Sequence, residues 1–308
     1  MLKSLCGYIM RLYFNELTYN IISTHIGYIV GNIKIKVQLL DRGGTEVLSK
    51  EWQDFSTNDI DEELMITEGG RAGGGRCTDI FVRAVNNVAT RDDNRIKIEV
   101  AVADDKPPPV IMLSMETKTI YNYLCKMGIL TEIPGIYCCT EGMSSTSLVA
   151  GMDTIYHQLN EQGYKLTVLH FGDDGPGGFR VTMNLRYPSM NQMLLGVRGL
   201  PTKMLFPRHS LLQHIAGYKG NSSTKPLSKW DKTQLNSMIR SDKFGTDGKK
   251  LLKYVLESNW KCESEVLIEL SNKMTHNHLL NCIGATVQAI SEKKGDTTNI
   301  EGLLDLFN

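Results

Sequence analysis

Three acidic residues stand directly after two apolar runs of the sequence, and they are the strongest candidates for chemistry. Glu116 follows the run 110–115, and Asp173 and Asp174 follow the run 165–171. Both runs have the composition of buried strands. Parallel strands that end in carboxylates bring Glu116 and Asp173 to one edge of a sheet, where ligand sites form in α/β proteins. Because Mg²⁺ prefers oxygen ligands of this kind, we predict a magnesium site at that edge.

Ordinary turn chemistry is an alternative interpretation of the same residues. Asp before glycine and proline is common in turns, so Asp173 and Asp174 could form only a solvated turn or a helix cap. Glu116 could likewise cap the helix that begins near Thr117. Asp174 qualifies as a further ligand only if the turn twists, because neighbouring residues on a strand face opposite ways.

Length and composition limit the class of protein only broadly. The 308 residues suffice for two domains with a sizeable core. The 34 basic and 34 acidic side chains cancel, so any DNA contact must come from local basic patches. The seven cysteines lack C-x-x-C spacing, which favours a reducing compartment over a disulfide framework. We expect no membrane association, because the apolar start is broken at Arg11 and no apolar window is long enough to cross a bilayer.

The pattern from residue 110 onward alternates between strand and helix, which predicts an α/β fold with a parallel sheet. The expected strands lie at 110–115, 136–139, 165–171 and 193–197. Helical spacing of apolar residues is clearest for Leu148, Met152, Ile155 and Leu159. The last third of the chain is predicted to be helical, and its first helix begins with a capping box at Ser228.

The segment before residue 110 predicts a hairpin followed by a linker. Apolar residues alternate with Lys34 and Lys36, and a glycine turn at 41–44 leads into a return strand. Such a hairpin suits the wing of a winged-helix module, and its two lysines are candidate DNA contacts; an ordinary edge hairpin is the alternative. The glycine-rich run 69–76 is typical of a linker, and the prolines at 107–109 mark a boundary.

The order of these motifs resembles the TOPRIM domain of topoisomerases and primases. Within that group it is most similar to the A subunit of DNA topoisomerase VI and to its meiotic relative, the transesterase that makes the double-strand breaks of recombination. The similar segments are 23–32, 115–116, 142–159, 173–178, 195–196, 226–231 with Leu235, and 261–263.

The resemblance implies a domain organisation. Residues 1–60 would form a partial winged-helix DNA-binding module, 61–108 a linker or insertion, and 109–308 a TOPRIM domain with C-terminal helices. The fold would be a TOPRIM-type parallel sheet with flanking helices and a helical C-terminal part.

The resemblance also implies a chemistry. In the family, a winged-helix tyrosine attacks a DNA phosphodiester and becomes joined to the 5′ end, while TOPRIM carboxylates hold Mg²⁺. Glu116 and Asp173 would be metal ligands, with Asp174 as a neighbouring candidate. Lys261, with Glu263, either stabilises the fold or faces DNA. A homodimer would cut both strands of double-stranded DNA in the nucleus. The family is that of type IIB topoisomerases, in which ATP coupling belongs to a B-type subunit.

The sequence departs from the family pattern in its nucleophile. The family's tyrosine lies upstream of the matched segment by more residues than this sequence contains, so we expect no catalytic tyrosine here. Tyr8, Tyr13 and Tyr19 fall downstream of the expected position, and packing is the favoured role for each.

The sequence departs from the pattern at the metal site as well. The second acid of the family's Asp-x-Asp pair falls on Gly175, and two family lysines are replaced by Thr117 and Glu141. Three hypotheses follow: a divergent DNA-cleaving transesterase, a non-catalytic DNA-binding or assembly homologue, and a TOPRIM phosphohydrolase that uses water as its nucleophile.

Overall fold

The computed structural model describes residues 28–41, 43–49, 51–56, 75–76, 95–126, 133–194, 196–205 and 223–266. The predictions for Tyr8, Tyr13 and Tyr19, for most of the glycine-rich run, and for the helices after residue 266 lie outside these ranges.

The described residues form strands and helices that are numbered here in chain order. The strands are β1 (Tyr28–Gly31), β2 (Ile33–Leu40), β3 (Glu46–Ser49), β4 (Gln53–Asp54), β5 (Gly75–Arg76), β6 (Arg95–Val102), β7 (Ile111–Met115), β8 (Gly135–Cys139), β9 (Thr167–Phe171), β10 (Lys203–Leu205), β11 (Thr224–Pro226) and β12 (Trp260–Cys262). The helices are α1 (Lys118–Lys126), α2 (Thr146–Glu161), α3 (Pro176–Arg186), α4 (Met190–Leu194), α5 (Lys229–Arg240) and α6 (Gly245–Ser258), with a 3₁₀ turn at Asp242–Phe244.

A six-stranded sheet with the order β10-β9-β7-β8-β1-β5 forms the centre of the described structure. Strands β10, β9, β7 and β8 are parallel to one another, whereas β1 runs antiparallel to β8 and β5 antiparallel to β1. All residues of β7 and β8 are buried, as expected for strands covered by helices on both faces. The predicted α/β fold with a parallel sheet is therefore confirmed.

Helix α2 packs along this sheet because its apolar residues share one face. Leu148, Met152, Ile155 and Leu159 are all fully buried, as their spacing predicts. The helix begins at Ser145, whose hydroxyl accepts the Leu148 N–H at 3.1 Å. Its apolar face joins α2 to the core of the sheet.

The predicted hairpin is present and belongs to a second, antiparallel sheet. Strand β2 pairs with β3, β4 and β6. This sheet shares a core cluster with α2 through Ile33, Ile35, Ile98 and Val100. The Gln158 side chain also donates to Ile98 O at 2.7 Å and accepts from Val100 N–H at 2.8 Å. These bonds satisfy backbone groups on the edge of β6 that faces away from β2. The domain boundaries and the wing assignment stay predictions.

The prediction of a strand at 193–197 is wrong. The chain forms helix α4 over Met190–Leu194, and the next parallel strand is β10. A capping box begins this helix: Ser189 N–H donates to Gln192 Oε1, and Gln192 N–H donates to Ser189 Oγ. Met193 and Leu194 are exposed rather than buried in the sheet. The capping residues therefore favour a helix more strongly than the short apolar run favours a strand.

Candidate metal centre

The register of the parallel strands places Glu116 beside Asp173. Ser114 is level with His170, and Met115 with Phe171. One residue further on, Glu116 N–H donates to Phe171 O at 3.0 Å. The Glu116 side chain then reaches across the sheet edge, where its Oε2 accepts the Asp173 N–H at 3.0 Å.

Both carboxylates at this edge are costly to ionise. Glu116 is only 8% exposed, and burial, reinforced by the charge of Asp173, raises its pKa from 4.5 to about 7. Burial also raises the pKa of Asp173, against the opposing effect of hydrogen bonds from Ser264. A divalent cation between these groups would relieve both the desolvation and the repulsion.

Two glycines shape the acid turn, which we define as residues 172–175. A Cβ on Gly178, in the first turn of α3, would lie 2.3 Å from Asp173 O and 2.7 Å from Asp173 N. Only glycine lets the helix approach the turn so closely. A Cβ on Gly172 would lie 2.9 Å from His170 Nε2 and 3.0 Å from Glu116 Oε2. A side chain at position 172 would therefore collide with an imidazole and a carboxylate that both approach this glycine.

His170 is the imidazole that approaches Gly172. It is fully buried, and its Nδ1 lies 2.7 Å from Ser114 Oγ. Burial lowers its pKa to about 3, so the ring is neutral at physiological pH. Within the described part of the chain, His170 Nε2 has no hydrogen-bond partner. A buried polar atom in this state is the kind that a ligand or ordered water satisfies.

Residues 262–264, which we call the clamp, hold the acid turn in place by hydrogen bonds. Asp174 N–H donates to Cys262 O at 2.8 Å, and Cys262 N–H donates to Asp174 O at 3.1 Å. Ser264 N–H then donates to Asp173 Oδ1 at 2.8 Å. The turn is held in place by a segment that lies 91 residues away in sequence.

The structure brings together two of the three predicted metal ligands. Asp173 contacts Glu116, whereas Asp174, which is 1% exposed, is held by its backbone bridge to Cys262. This donor set fits a divalent cation, because it combines two carboxylates with an imidazole nitrogen that has no partner among the described residues. However, no three His, Cys, Asp or Glu side chains of the described ranges are already arranged around one point.

The three lysines predicted to contact DNA lie in two different parts of the structure. Lys261 Nζ lies 3.1 Å from Asp231 Oδ2, and its aliphatic stem would be 3.4 Å from a Cβ on Gly175. It therefore lies beside the acid turn. Lys34, in contrast, pairs with Asp104 on the antiparallel sheet, and Lys36 is level with Glu99 there.

Sequence reasoning assigned no role to His170, Ser264 or Glu265. The signal for His170 was a histidine within an apolar strand. In the structure it is level with the polar Ser114 of the neighbouring strand. Ser264 has no local signal, because only the folded chain brings its N–H to the Asp173 carboxylate. Glu265 follows Ser264, and its charge raises the pKa of Asp173.

These features define the class of protein. A parallel sheet with flanking helices, and with carboxylates at the carboxyl ends of two neighbouring strands, is a TOPRIM-type arrangement. The model of the Toprim domain of the topoisomerase 6 A-subunit/Spo11 family matches residues 111–283, which is more than half of the chain. The protein belongs to this family, and its function is related to DNA cleavage.

Curated proteins give no significant match to the chain. Among the helices that the structure describes, none combines the length and apolar character that crossing a membrane requires.

Proposed function

We propose that the protein makes double-strand breaks in DNA by magnesium-dependent transesterification and thereby initiates meiotic recombination. The observation that carries the proposal is the Glu116–Asp173 pair at the edge of the parallel sheet, inside the segment that matches the family. A buried acid pair with raised pKa values is typical of a functional site rather than of a structural turn.

Glu116 and Asp173 are the residues that would hold Mg²⁺. When bound there, the ion would stabilise negative charge on the scissile phosphate. The protein's contribution is to orient the ligands: Asp173 N–H fixes one oxygen of Glu116, and Ser264 N–H fixes one oxygen of Asp173. Such supporting hydrogen bonds hold metal ligands in position before the ion arrives.

The reaction proposed is the attack of a tyrosine hydroxyl on a DNA phosphodiester. The family's tyrosine position lies outside these 308 residues, so Tyr8, Tyr13 and Tyr19 are not assigned this role. A bond forms between the tyrosine oxygen and phosphorus, the bond to the 3′ oxygen breaks, and the protein becomes joined to the 5′ end. We propose a homodimer that acts in the nucleus on double-stranded DNA; a further proposed partner is a topoisomerase VI B-type subunit. Lys261, whose stem lies beside the acid turn, is a proposed contact to the DNA backbone.

A second candidate function is supported by Gly175. Because glycine stands where the family carries its second acid, a non-catalytic homologue that binds DNA or assembles with other proteins is the alternative. Such a protein would keep the sheet and the clamp around the acid turn without cleaving DNA.

Removal of one ligand charge tests the metal site. We expect Asp173→Asn to keep the acceptor for Ser264 N–H and thus the fold, but to weaken Mn²⁺ binding by at least the roughly tenfold that outer-shell changes cost. Calorimetry with Mn²⁺, and fluorescence anisotropy of a duplex oligonucleotide with Mg²⁺ or EDTA, measure the effect. Asp242→Asn, at a fully exposed carboxylate, is the matched control. Equal binding by wild type and Asp173→Asn would refute the metal site.

The covalent intermediate separates the candidate functions. Immunoprecipitation from meiotic cells, followed by labelling of attached DNA ends, should recover the protein joined to 5′ ends. Cleaved ends without adducts would indicate water as the nucleophile, and the absence of both would favour the non-catalytic homologue. Sequencing of the 5′ end of the transcript would show whether a tyrosine-bearing helix is encoded upstream.

A further inference from the structure

An exposed aromatic side chain lies on helix α5, close to the acid turn. Trp230, in the first turn of that helix, is 58% exposed, although tryptophan is on average highly buried in folded proteins. Arg180 of α3 lies over its ring, with the guanidinium carbon 5.9 Å from the ring centroid. More than half of the side chain is exposed with this cation in place, so a flat ligand can still reach the ring.

A hydrogen bond between the two helices holds Arg180 in this position. Its guanidinium donates to Gln234 Oε1. Gln234 follows Trp230 by four residues and therefore lies on the same face of α5. Because the ring and the amide contact one guanidinium, the arrangement exists before any ligand binds, which lowers the entropic cost of binding.

The first turn of α5 also lies beside the acid turn. Asp231, the residue after Trp230, contacts Lys261 Nζ at 3.1 Å. The stem of Lys261 in turn faces Gly175. Helix α3, which carries Arg180, begins directly after the acid turn. A polymer bound at the acid turn therefore has the Trp230–Arg180 pair as its neighbour on this side.

The surface around the pair is positively charged. Helices α3 and α5 carry five basic side chains, all exposed, and a single acid, Asp231, which is buried. The basic residues are Arg180, Arg186, Lys229, Lys232 and Arg240. Within the part of the chain that the structure describes, none of the ion pairs includes any of the five. This surface therefore suits an anionic partner.

A nucleic acid strand matches both features of this surface. Its phosphates are negative, and every base has a face that stacks on an aromatic ring. An acidic peptide matches the charge alone. The position beside the acid turn also favours DNA, because the proposed function places a DNA phosphate there.

We infer that Trp230 is a stacking site for an unpaired base of the DNA strand that lies at the acid turn, with phosphates of the same strand on the lysines of α5. This inference rests on the proposed function and deepens it, because it names the state of the DNA at that place. A base within a duplex has its faces covered by its neighbours, so it must leave the stack to reach the ring. Stacking on Trp230 offsets part of that cost.

The test is binding of single-stranded oligothymidylate by the whole 308-residue protein, with EDTA present. Fluorescence anisotropy of the labelled oligonucleotide gives the affinity, and quenching of tryptophan emission reports stacking. We expect Trp230→Ala to bind about tenfold more weakly and to lose the quenching, whereas Trp230→Phe, which keeps an aromatic ring, binds within about threefold of wild type. Unchanged thermal unfolding of the variants would show that the fold is intact.

Tyr187→Ala is the matched control. Tyr187 is 42% exposed and also has an arginine, Arg186, over its ring, but it lies at the end of α3 that is remote from the acid turn. It should bind oligothymidylate as the wild type does.

Four results would overturn the inference. Wild-type affinity in Trp230→Ala would show that no base stacks there, and equal weakening in Tyr187→Ala would show only a general effect of losing an aromatic side chain. An equal loss in Trp230→Ala for a blunt-ended duplex would indicate contact with the DNA backbone instead of a base. Equal quenching by polyglutamate would indicate an acidic protein as the partner.

The metal site is tested independently of this surface. Because EDTA removes divalent cations, the oligothymidylate assay does not depend on Mn²⁺ binding. Wild-type Mn²⁺ binding by Asp173→Asn would refute the metal site alone, and wild-type oligothymidylate binding by Trp230→Ala would refute the stacking site alone.

Discussion

Glu116→Gln should stabilise the metal-free protein at alkaline pH, although it alters a residue of the proposed metal site. Glu116 is 8% exposed, and Asp173 adds repulsion to the cost of its burial. Glutamine keeps an oxygen that accepts the Asp173 N–H but carries no charge. The substitution therefore removes the electrostatic cost and retains the hydrogen bond.

The magnitude follows from the pKa of Glu116, which rises from 4.5 to about 7 on folding. Between these two values the folded protein holds a proton that the unfolded chain has lost, so stability falls as pH rises through this window. At about 1.4 kcal/mol per pH unit, the ionised group costs about 3 kcal/mol above pH 7. Burial of the amide offsets part of this gain, so we expect a net stabilisation of about 1–3 kcal/mol at pH 8 and little change below pH 4.5.

The assay is urea unfolding followed by circular dichroism, with EDTA present, at several pH values from 4 to 8. The difference between the unfolding midpoints of Glu116→Gln and wild type should grow across the window. Glu257→Gln, at an exposed acid in the last turn of α6, is the control and should show no such growth. A difference that does not change with pH, or a variant less stable than wild type at pH 8, would refute the reasoning.

Two further predictions concern the surroundings of the acid turn. Gly178→Ala forces a Cβ to 2.3 Å from backbone and should destabilise by about 2–3 kcal/mol in urea unfolding. Gly175→Ala, whose Cβ would make only a 3.4 Å contact, is its control and should change stability by less than about 1 kcal/mol; equal losses would contradict the steric argument. Asp231→Ala removes the N3 half of the α5 capping box, which accepts the Ser228 N–H, and the buried partner of Lys261. It should cost about 1–3 kcal/mol in the same assay. The exposed Asp242→Ala should have no measurable effect, and a similar loss there would show that burial is not the cause.

Local patterns were sufficient for most of the fold. The strands before Glu116 and Asp173 and helix α2 were predicted because buried strands are mostly apolar and helices repeat every 3.6 residues. The failure at 193–197 has a physical cause, since a short apolar run does not by itself distinguish strand from helix. The capping residues Ser189 and Gln192 carried the decisive signal.

The sequence by itself indicated that Glu116 and Asp173 each follow a strand of a parallel sheet, because strand period and strand–helix alternation are local properties of the chain. The pairing of β9 with β7, on the side opposite β8, was decided by the tertiary structure. Tertiary structure alone also decided what surrounds the two acids. The clamp joins Asp173 to Ser264 across 91 positions, and it holds Asp174 by its backbone. No local pattern encodes such contacts, because they depend on how distant segments pack once the sheet has formed. The same packing buries Glu116 and thereby raises its pKa.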